Sequence, residues 1–173
     1  MNDKAEGKGC YYHINGATYK GEWKADRQEG KGKETWQDGS VYEGNYKNGL
    51  KNGEGKFIWG DGSMYTGNFV NNNIQGHGVY IWKDSRSYDG EWANNKMEGK
   101  GTFTWPDNRK YIGEYKNDKK DGYGIFEWGD GRKYKGFWKN GKQHGKGELY
   151  FPKTKEWKSG LWENGKRIQW LDN

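Results

Sequence analysis

The chain holds one cysteine, Cys10, so no disulfide can form within it, and a reducing compartment is its natural home. Aliphatic residues are scarce as well. Leu, Ile, Val and Phe together number 20 of 173 residues, below the roughly 20% at which disorder becomes a live alternative. Mean hydropathy is −1.42, far from that of a chain with a thick aliphatic core. No apolar run approaches the roughly 20 residues that a membrane-spanning helix needs. The opening residues 1–9 carry no apolar stretch, so no secretory leader is expected. Single-sign charge runs are absent too: 30 basic and 24 acidic residues are interleaved to a net +6, with no basic run of five. That pattern argues against a nucleic-acid binder and for a mixed, soluble surface and a cytoplasmic location.

What the chain does have is aromatics at fixed register. It contains 11 Trp and 13 Tyr, and each such ring buries a large area. Stepping by 23 residues from Tyr19 gives Tyr42, Tyr65, Tyr88, Tyr111, Tyr134 and then Trp157. A glycine follows each tyrosine two residues on (Gly21 and Gly44, for instance), and an aromatic two residues later (Trp23, Tyr46, Phe69, Trp92, Tyr115, Trp138). Each repeat then carries a G-x-G pair and a second aromatic, as in Gly53, Gly55 and Trp59. Disordered chains keep no such register; a fixed period of this length means an array of stacked units.

Parity within the repeat gives the local structure. Counting the tyrosine as position one, odd positions carry tyrosine, glycine and aromatic, while even positions carry residues such as Lys20, Glu22, Glu43 and Asn45. Strict alternation is the strand signature. Each repeat therefore reads as two short strands with one aromatic-and-glycine face and one mostly polar face. Glycine beside a ring lets that ring lie across the neighbouring backbone, so Tyr42 and Tyr46 should lean over Gly44 and the facing G-x-G strand. Asp38-Gly39, Asp61-Gly62 and Asp130-Gly131 stand between repeats, and Asn48-Gly49, Asn71-Asn72 and Asn140-Gly141 within them. These are tight-turn residues. All connections being short, the fold class is all-β: an elongated, twisted, single-sheet antiparallel meander of hairpins with about 13–14 strands. The array is read as one domain over 1–173: a partial repeat at 7–18, full repeats from 19, 42, 65, 88, 111 and 134, and an irregular unit with a cap at 157–173. Gly160 and Trp162 fit the pattern only if one residue is inserted near Lys153-Thr154, and Ile168, Trp170 and Leu171 form an apolar tail that should cover the last strand.

The unit at 42–64, YEGNYKNGLKNGEGKFIWGDGSM, resembles the MORN repeat in its Y-x-G-x-W-like opening and following G-x-G. The resemblance runs over about 7–165. It implies an elongated sheet of hairpins and a scaffolding role in cytoskeletal, ciliary or membrane-associated assemblies. Catalytic domains attached to some members of the family have no counterpart in this stretch.

No catalytic, cofactor or metal site is expected. The run from Gly136 to Gln143 nearly spells a phosphate-binding loop, but Gln143 lacks the hydroxyl and the hairpin register lacks the helix. His13, His77 and His144 fall at three different repeat positions, and His13 takes the slot of a later tryptophan. Cys10 has no base nearby in sequence. The expected site is a groove for a helical or extended protein segment on the aromatic face, made by Phe57, Tyr80, Phe103, Phe126 and Leu149, all at position sixteen, with Tyr65, Tyr88 and Tyr111. The alternative is contact with an anionic phospholipid surface through Lys31, Lys33, Lys56, Lys100 and Lys146 on the polar face, diluted there by glutamates such as Glu43 and Glu54. An unpaired terminal strand near 7–12 would also suit a homodimer.

Overall fold

The computed structural model describes residues 3–171. Among them there is no helix, and fifteen strands follow one another. The first seven are β1 (Gly7–Tyr12), β2 (Thr18–Lys24), β3 (Arg27–Thr35), β4 (Val41–Lys47), β5 (Leu50–Ile58), β6 (Met64–Val70) and β7 (Asn73–Ile81). The other eight are β8 (Ser87–Ala93), β9 (Lys96–Thr104), β10 (Lys110–Lys116), β11 (Lys119–Glu127), β12 (Lys133–Lys139), β13 (Lys142–Phe151), β14 (Glu156–Glu163) and β15 (Lys166–Trp170). Strand order in the sheet is chain order, and the pairings on either side of β4 and of β12 are all antiparallel. The expected all-β meander is what forms. Compact packing divides the chain in two: a first unit up to Lys83 with the turn residues Ala93–Asn95, and a second of Asp84–Trp92 and the residues from Lys96 on.

Both units are built on the same buried tyrosine seam. Tyr19, Tyr42 and Tyr65 in the first, and Tyr88, Tyr111 and Tyr134 in the second, are all 0% exposed. Each hydroxyl donates to the carbonyl three residues on, as Tyr42 does to Asn45 at 2.8 Å and Tyr111 to Glu114 at 2.9 Å. A buried phenol needs such a partner, and this one keeps the ring flat along its own strand. The position-five aromatics stand edge-on between successive tyrosines: Tyr46 lies 5.2 Å from both Tyr19 and Tyr42, and Trp138 lies 5.4 and 5.3 Å from Tyr111 and Tyr134. Quadrupoles favour this edge-to-face arrangement.

The two glycines of the G-x-G pair have separate physical reasons. The second lies under a tyrosine: a Cβ on Gly55 would stand 2.6 Å from Tyr42 Cε2. The first marks a β-bulge. Register shifts between Gly44 and Tyr46, and between Gly113 and Tyr115, as the strand passes Gly53 (φ 95°) and Gly122 (φ 104°). At such φ only glycine is at ease. The position-four side chain clamps the bulge: Glu22 accepts from the Lys31 N–H at 2.9 Å, and Asn45 donates to the Glu54 carbonyl at 3.2 Å. Both side chains thus act on the backbone of the facing strand.

The turns divide into two kinds. Within repeats, Asn48 (φ 51°) and Gly49 (φ 82°) both take positive φ, as do Asn117 and Asp118, the two-residue turn that the sequence suggested. Between repeats the loops are longer than an Asp-Gly pair suggested. Trp36 N–H donates to the Ser40 carbonyl at 2.9 Å and Gly39 N–H to the Trp36 carbonyl at 3.1 Å, so the loop holds three residues with only Gly39 at positive φ. Asp38 instead accepts from the Ser40 N–H at 2.8 Å. Backbone N–H donation keeps the Asp38 and Asp61 carboxyls below the usual carboxylate range.

The last repeat carries the expected insertion. Facing glycines are twelve residues apart at Gly32 and Gly44 but thirteen apart at Gly147 and Gly160, and Lys155 takes φ 58° in the loop that absorbs the extra residue. Trp162 thereby enters the buried seam, 5.0 Å from Tyr134. Trp157 does not continue the tyrosine series. It faces Tyr150 on the opposite side of the sheet, and Lys158 stands across from Leu149 in its place. The apolar tail is a further strand, β15, whose Trp170 packs 6.2 Å from Trp162.

Candidate protein-binding face

A second aromatic seam runs beside the buried one, and all its indoles stay half-exposed. In the first unit Trp36, Phe57, Trp59, Tyr80 and Trp82 form it, each reaching the next at 5.4, 4.5, 5.1 and 4.5 Å. In the second unit Phe103 meets Trp105 at 4.3 Å, Trp105 meets Phe126 at 5.5 Å, and Phe126 meets Trp128 at 4.8 Å. These rings come from positions sixteen and eighteen, at the end of each repeat's second strand and the start of the loop. There they flank the buried tyrosines rather than cover them.

The expected groove residues fall into three classes. Phe57, Tyr80 and Leu149 are half-exposed on this face. Phe103 and Phe126 lie on it, packed against Trp105 and Trp128, and keep only 6% and 7% exposure. Tyr65, Tyr88 and Tyr111 belong to the buried seam and form the floor, offering no surface to a partner. Burial pushes the Tyr65 phenol up to about 12 and raises those of Tyr88 and Tyr111 further.

Several features of the face went unread in the sequence. Trp36, Trp59, Trp105 and Trp128 were seen only as repeat markers, yet they supply its accessible surface. Position ten supplies a slot at its margin, filled in turn by Gln28, Lys51, Ile74, Met97, Lys120 and Gln143. Lys51 Nζ lies 5.2 Å from Trp36, 5.3 Å from Tyr42 and 5.7 Å from Phe57. Lys120 Nζ lies 5.3–5.6 Å from four rings, Trp138, Phe126, Trp105 and Tyr111. Desolvation lowers both ammonium pKa values. Arg109 and Arg132 lie over Trp105 and Trp128 at 5.1 and 5.2 Å, each held by the aspartate two residues earlier at 2.8 Å. The variation at position ten, amid otherwise fixed columns, was the available signal.

The opposite face differs between units. In the first it is a charged trough of about 1000 Å³ lined by Lys8, Lys20, Lys31, Lys33, Lys56 and Glu43, among others. Glu43 stands directly across from both Lys33 and Lys56. In the second unit Lys100 faces Glu114 and Lys146 faces Leu161. Here the expected polar face also carries an apolar patch among its charges: Ile112, Tyr123, Phe137 and Trp157 are exposed, Phe137 by 52%. Tyr123 meets Phe137 at 5.7 Å and Tyr150 meets Trp157 at 5.1 Å.

Three comparisons bear on what this arrangement is. No curated protein sequence matches the chain. Among solved structures, the TCP domain of Drosophila melanogaster SAS-4 (dCPAP), in complex with a proline-rich motif of Ana2 (dSTIL), is similar with a TM-score of 0.56 at 13% identity, over 90% of this chain and 84% of that one. The wild-type TCP10 domain of Danio rerio CPAP matches at 14% identity over 96% of this chain and 90% of that one, with a TM-score of 0.39. At 13% identity the likeness to the SAS-4 domain is one of fold alone. The family model of the MORN repeat matches residues 1–18, 19–41, 42–64, 65–85, 88–108, 111–131 and 134–154. With seven successive matches spanning most of its length, and with each tyrosine, glycine and indole of the repeat placed as above, the chain belongs to the MORN-repeat family.

Proposed function

We propose that the chain is a non-catalytic adaptor that holds an extended segment of a partner protein against the half-exposed aromatic seam of a unit, in a cytoskeletal or ciliary assembly. The observation that carries this reading is the separation of the two seams. The tyrosine seam is fully buried and accounts for the fold, while the outer seam leaves indole faces in contact with solvent that the fold does not need exposed. Aromatic-lined faces of this kind suit extended, proline-containing segments, whose order before binding limits the entropy lost on docking. The similar fold of the SAS-4 TCP domain, solved with a proline-rich motif, supports that mode.

The test is a peptide library displayed on phage and selected on the purified chain. Selected peptides should bind the parent and lose binding to Trp59→Ala or Trp128→Ala variants that keep the parent's circular dichroism. Equal binding to both folded variants removes the seam from the reading. The competing membrane reading rests on exposed Lys31, Lys33, Lys56, Lys100 and Lys146. Glutamates across from Lys33, Lys56 and Lys100 weaken it. Binding to phosphatidylserine vesicles that collapses in salt would favour it instead.

A further inference from the structure

The two position-ten lysines sit in matching slots, three repeats apart, but only one has a counter-charge. Beside Lys51 stands Glu34, whose carboxylate opposes the desolvation of the ammonium and accepts from the Tyr46 hydroxyl at 2.8 Å. Three repeats on, the residue corresponding to Glu34 is Phe103. Around Lys120 the structure places rings, and the adjacent Arg109 adds like charge. Among the described residues neither lysine forms an ion pair, and what sets Lys51 apart is the nearby carboxylate of Glu34. Arg109 and Arg132 nearby are already paired, with Asp107 and Asp130.

Ring faces compensate a cation in part, but a half-buried ammonium without a counter-ion remains costly. Packing does not require it. The same slot holds Ile74 and Met97 in the intervening repeats, both buried. Beside Lys120 opens a hollow of about 240 Å³, walled by Phe126, Trp128 and Trp138 and bordered by Lys142 and Gln143. Its lining carries two ammonium groups and no acid. The hollow has room for one or two apolar side chains, with Lys120 at its edge.

We infer that Lys120 is the anchor for an aspartate or glutamate side chain of the segment that lies on the second unit's outer seam, with an apolar neighbour of that acid seated in the hollow beside Phe126, Trp128 and Trp138. The incoming carboxylate does for Lys120 what Glu34 does for Lys51. The inference rests on the seam-binding reading and specifies its partner as acidic and extended. It makes the second unit the selective one, because the first unit's lysine is already answered from within.

The displayed library, selected on the full chain, tests it. Peptides enriched on the parent should carry Asp or Glu at a fixed distance from an apolar residue. The best of them should bind Lys120→Met about tenfold more weakly and Lys51→Met unchanged. Replacing its acid with the amide should cost the parent the same factor and cost Lys120→Met nothing further. Methionine already fills this slot at Met97, so the variant should fold. Should it not, the parent's Lys120 side-chain resonance, shifted by the acidic peptide and unmoved by the amide, decides the same point. Peptides without an acid, or acidic peptides indifferent to Lys120→Met, overturn the anchor. If they are lost on folded Trp128→Ala but indifferent to Lys120→Met, the seam reading stands and the anchor falls. If they are indifferent to both, both fall.

Discussion

The first and second units share one core and differ in almost everything laid upon it. Both carry three wholly buried tyrosines, each bonded to a carbonyl three residues on. Yet position twenty-two holds Ala17, Ser40 and Ser63 in the first unit and Arg86, Arg109 and Arg132 in the second. The serines are buried behind their aspartates, while Arg109 and Arg132 lie out over indoles. The back face is charged in the first unit and adds an apolar patch to its charges in the second. Columns that meet the buried seam are held constant, and columns that meet solvent drift in blocks. Chemistry in such an array is therefore sought in the columns that vary, not in the consensus.

The largest expected effect tests the sameness of the cores. Burial raises all six tyrosine phenols, to about 12 for Tyr19, Tyr65 and Tyr134. A folded pKa above the unfolded value near 10 means stability that is complete below pH 10 and lost as pH climbs toward 12. Alkaline titration should give one cooperative unfolding in that window, with tyrosinate absorbance and circular dichroism changing together. Two separated transitions would break the equivalence of the units.

Next come Gly44→Val and Gly113→Val, one per unit. A Cβ at Gly44 would stand 2.6 Å from the Glu54 carbonyl and 2.8 Å from the Tyr42 hydroxyl; at Gly113 it meets Tyr123 O at 2.6 Å and Tyr111 at 2.7 Å. Backbone cannot yield as a side-chain tip can. Each should cost about 3 kcal/mol in chemical denaturation, and by similar amounts. A loss in one unit alone would show that its sheet is looser.

The lysines should separate the units. Lys120→Met removes an unanswered cation and should stabilise by about 1 kcal/mol, whereas Lys51→Met strands Glu34 and should gain nothing. For a base with a lowered folded pKa, the unfolded state binds more protons, so the cost of Lys120 falls as pH rises toward its unfolded value near 10.5. The advantage of Lys120→Met should accordingly shrink between pH 7 and pH 10. An advantage that is constant with pH would mean the charge is not its source.

The smallest effect lies in the inter-repeat loops. Gly39 and Gly62 take the left-handed position in the first unit, while in the second Ser85 (φ 71°) and Asn108 (φ 69°) hold it in two loops and Gly131 in the third. Ser85→Gly should stabilise by about 1 kcal/mol and Asn108→Gly by less, since asparagine tolerates that region better. Equal thermal midpoints for parent and Ser85→Gly would show that the loop strain is relieved elsewhere.

Much of this was legible in the chain. Period and parity gave the strands, the aromatic face and even the one-residue insertion before Gly160, because each follows from side-chain alternation alone. Parity says which face a ring is on, but not what overlies it. Phe103 and Phe126 therefore looked like surface and Tyr111 like groove, yet the first two are packed away beside Trp105 and Trp128, and Tyr115 and Trp138 enclose the third. Trp157 kept the 23-residue step yet changed faces, since one extra residue inverts a strand's orientation. Likewise an Asp-Gly pair fits a two-residue and a three-residue turn alike, and only the bond from Trp36 to Ser40 distinguishes them.

The turns within repeats are also tied to one another. Asn48 N–H donates to Glu29, Lys51 N–H to Asn72, Met97 N–H to Asp118 and Asn117 N–H to Glu98, across 19 or 21 residues. Such ties span about one repeat, as where Asn95 donates to Asn73 across 22 residues. Contact order is therefore low for an all-β protein, and closing each new hairpin sacrifices little chain entropy. Folding can advance as a zipper from the ribosome, one repeat completing as the next emerges, with no strand waiting for a distant partner.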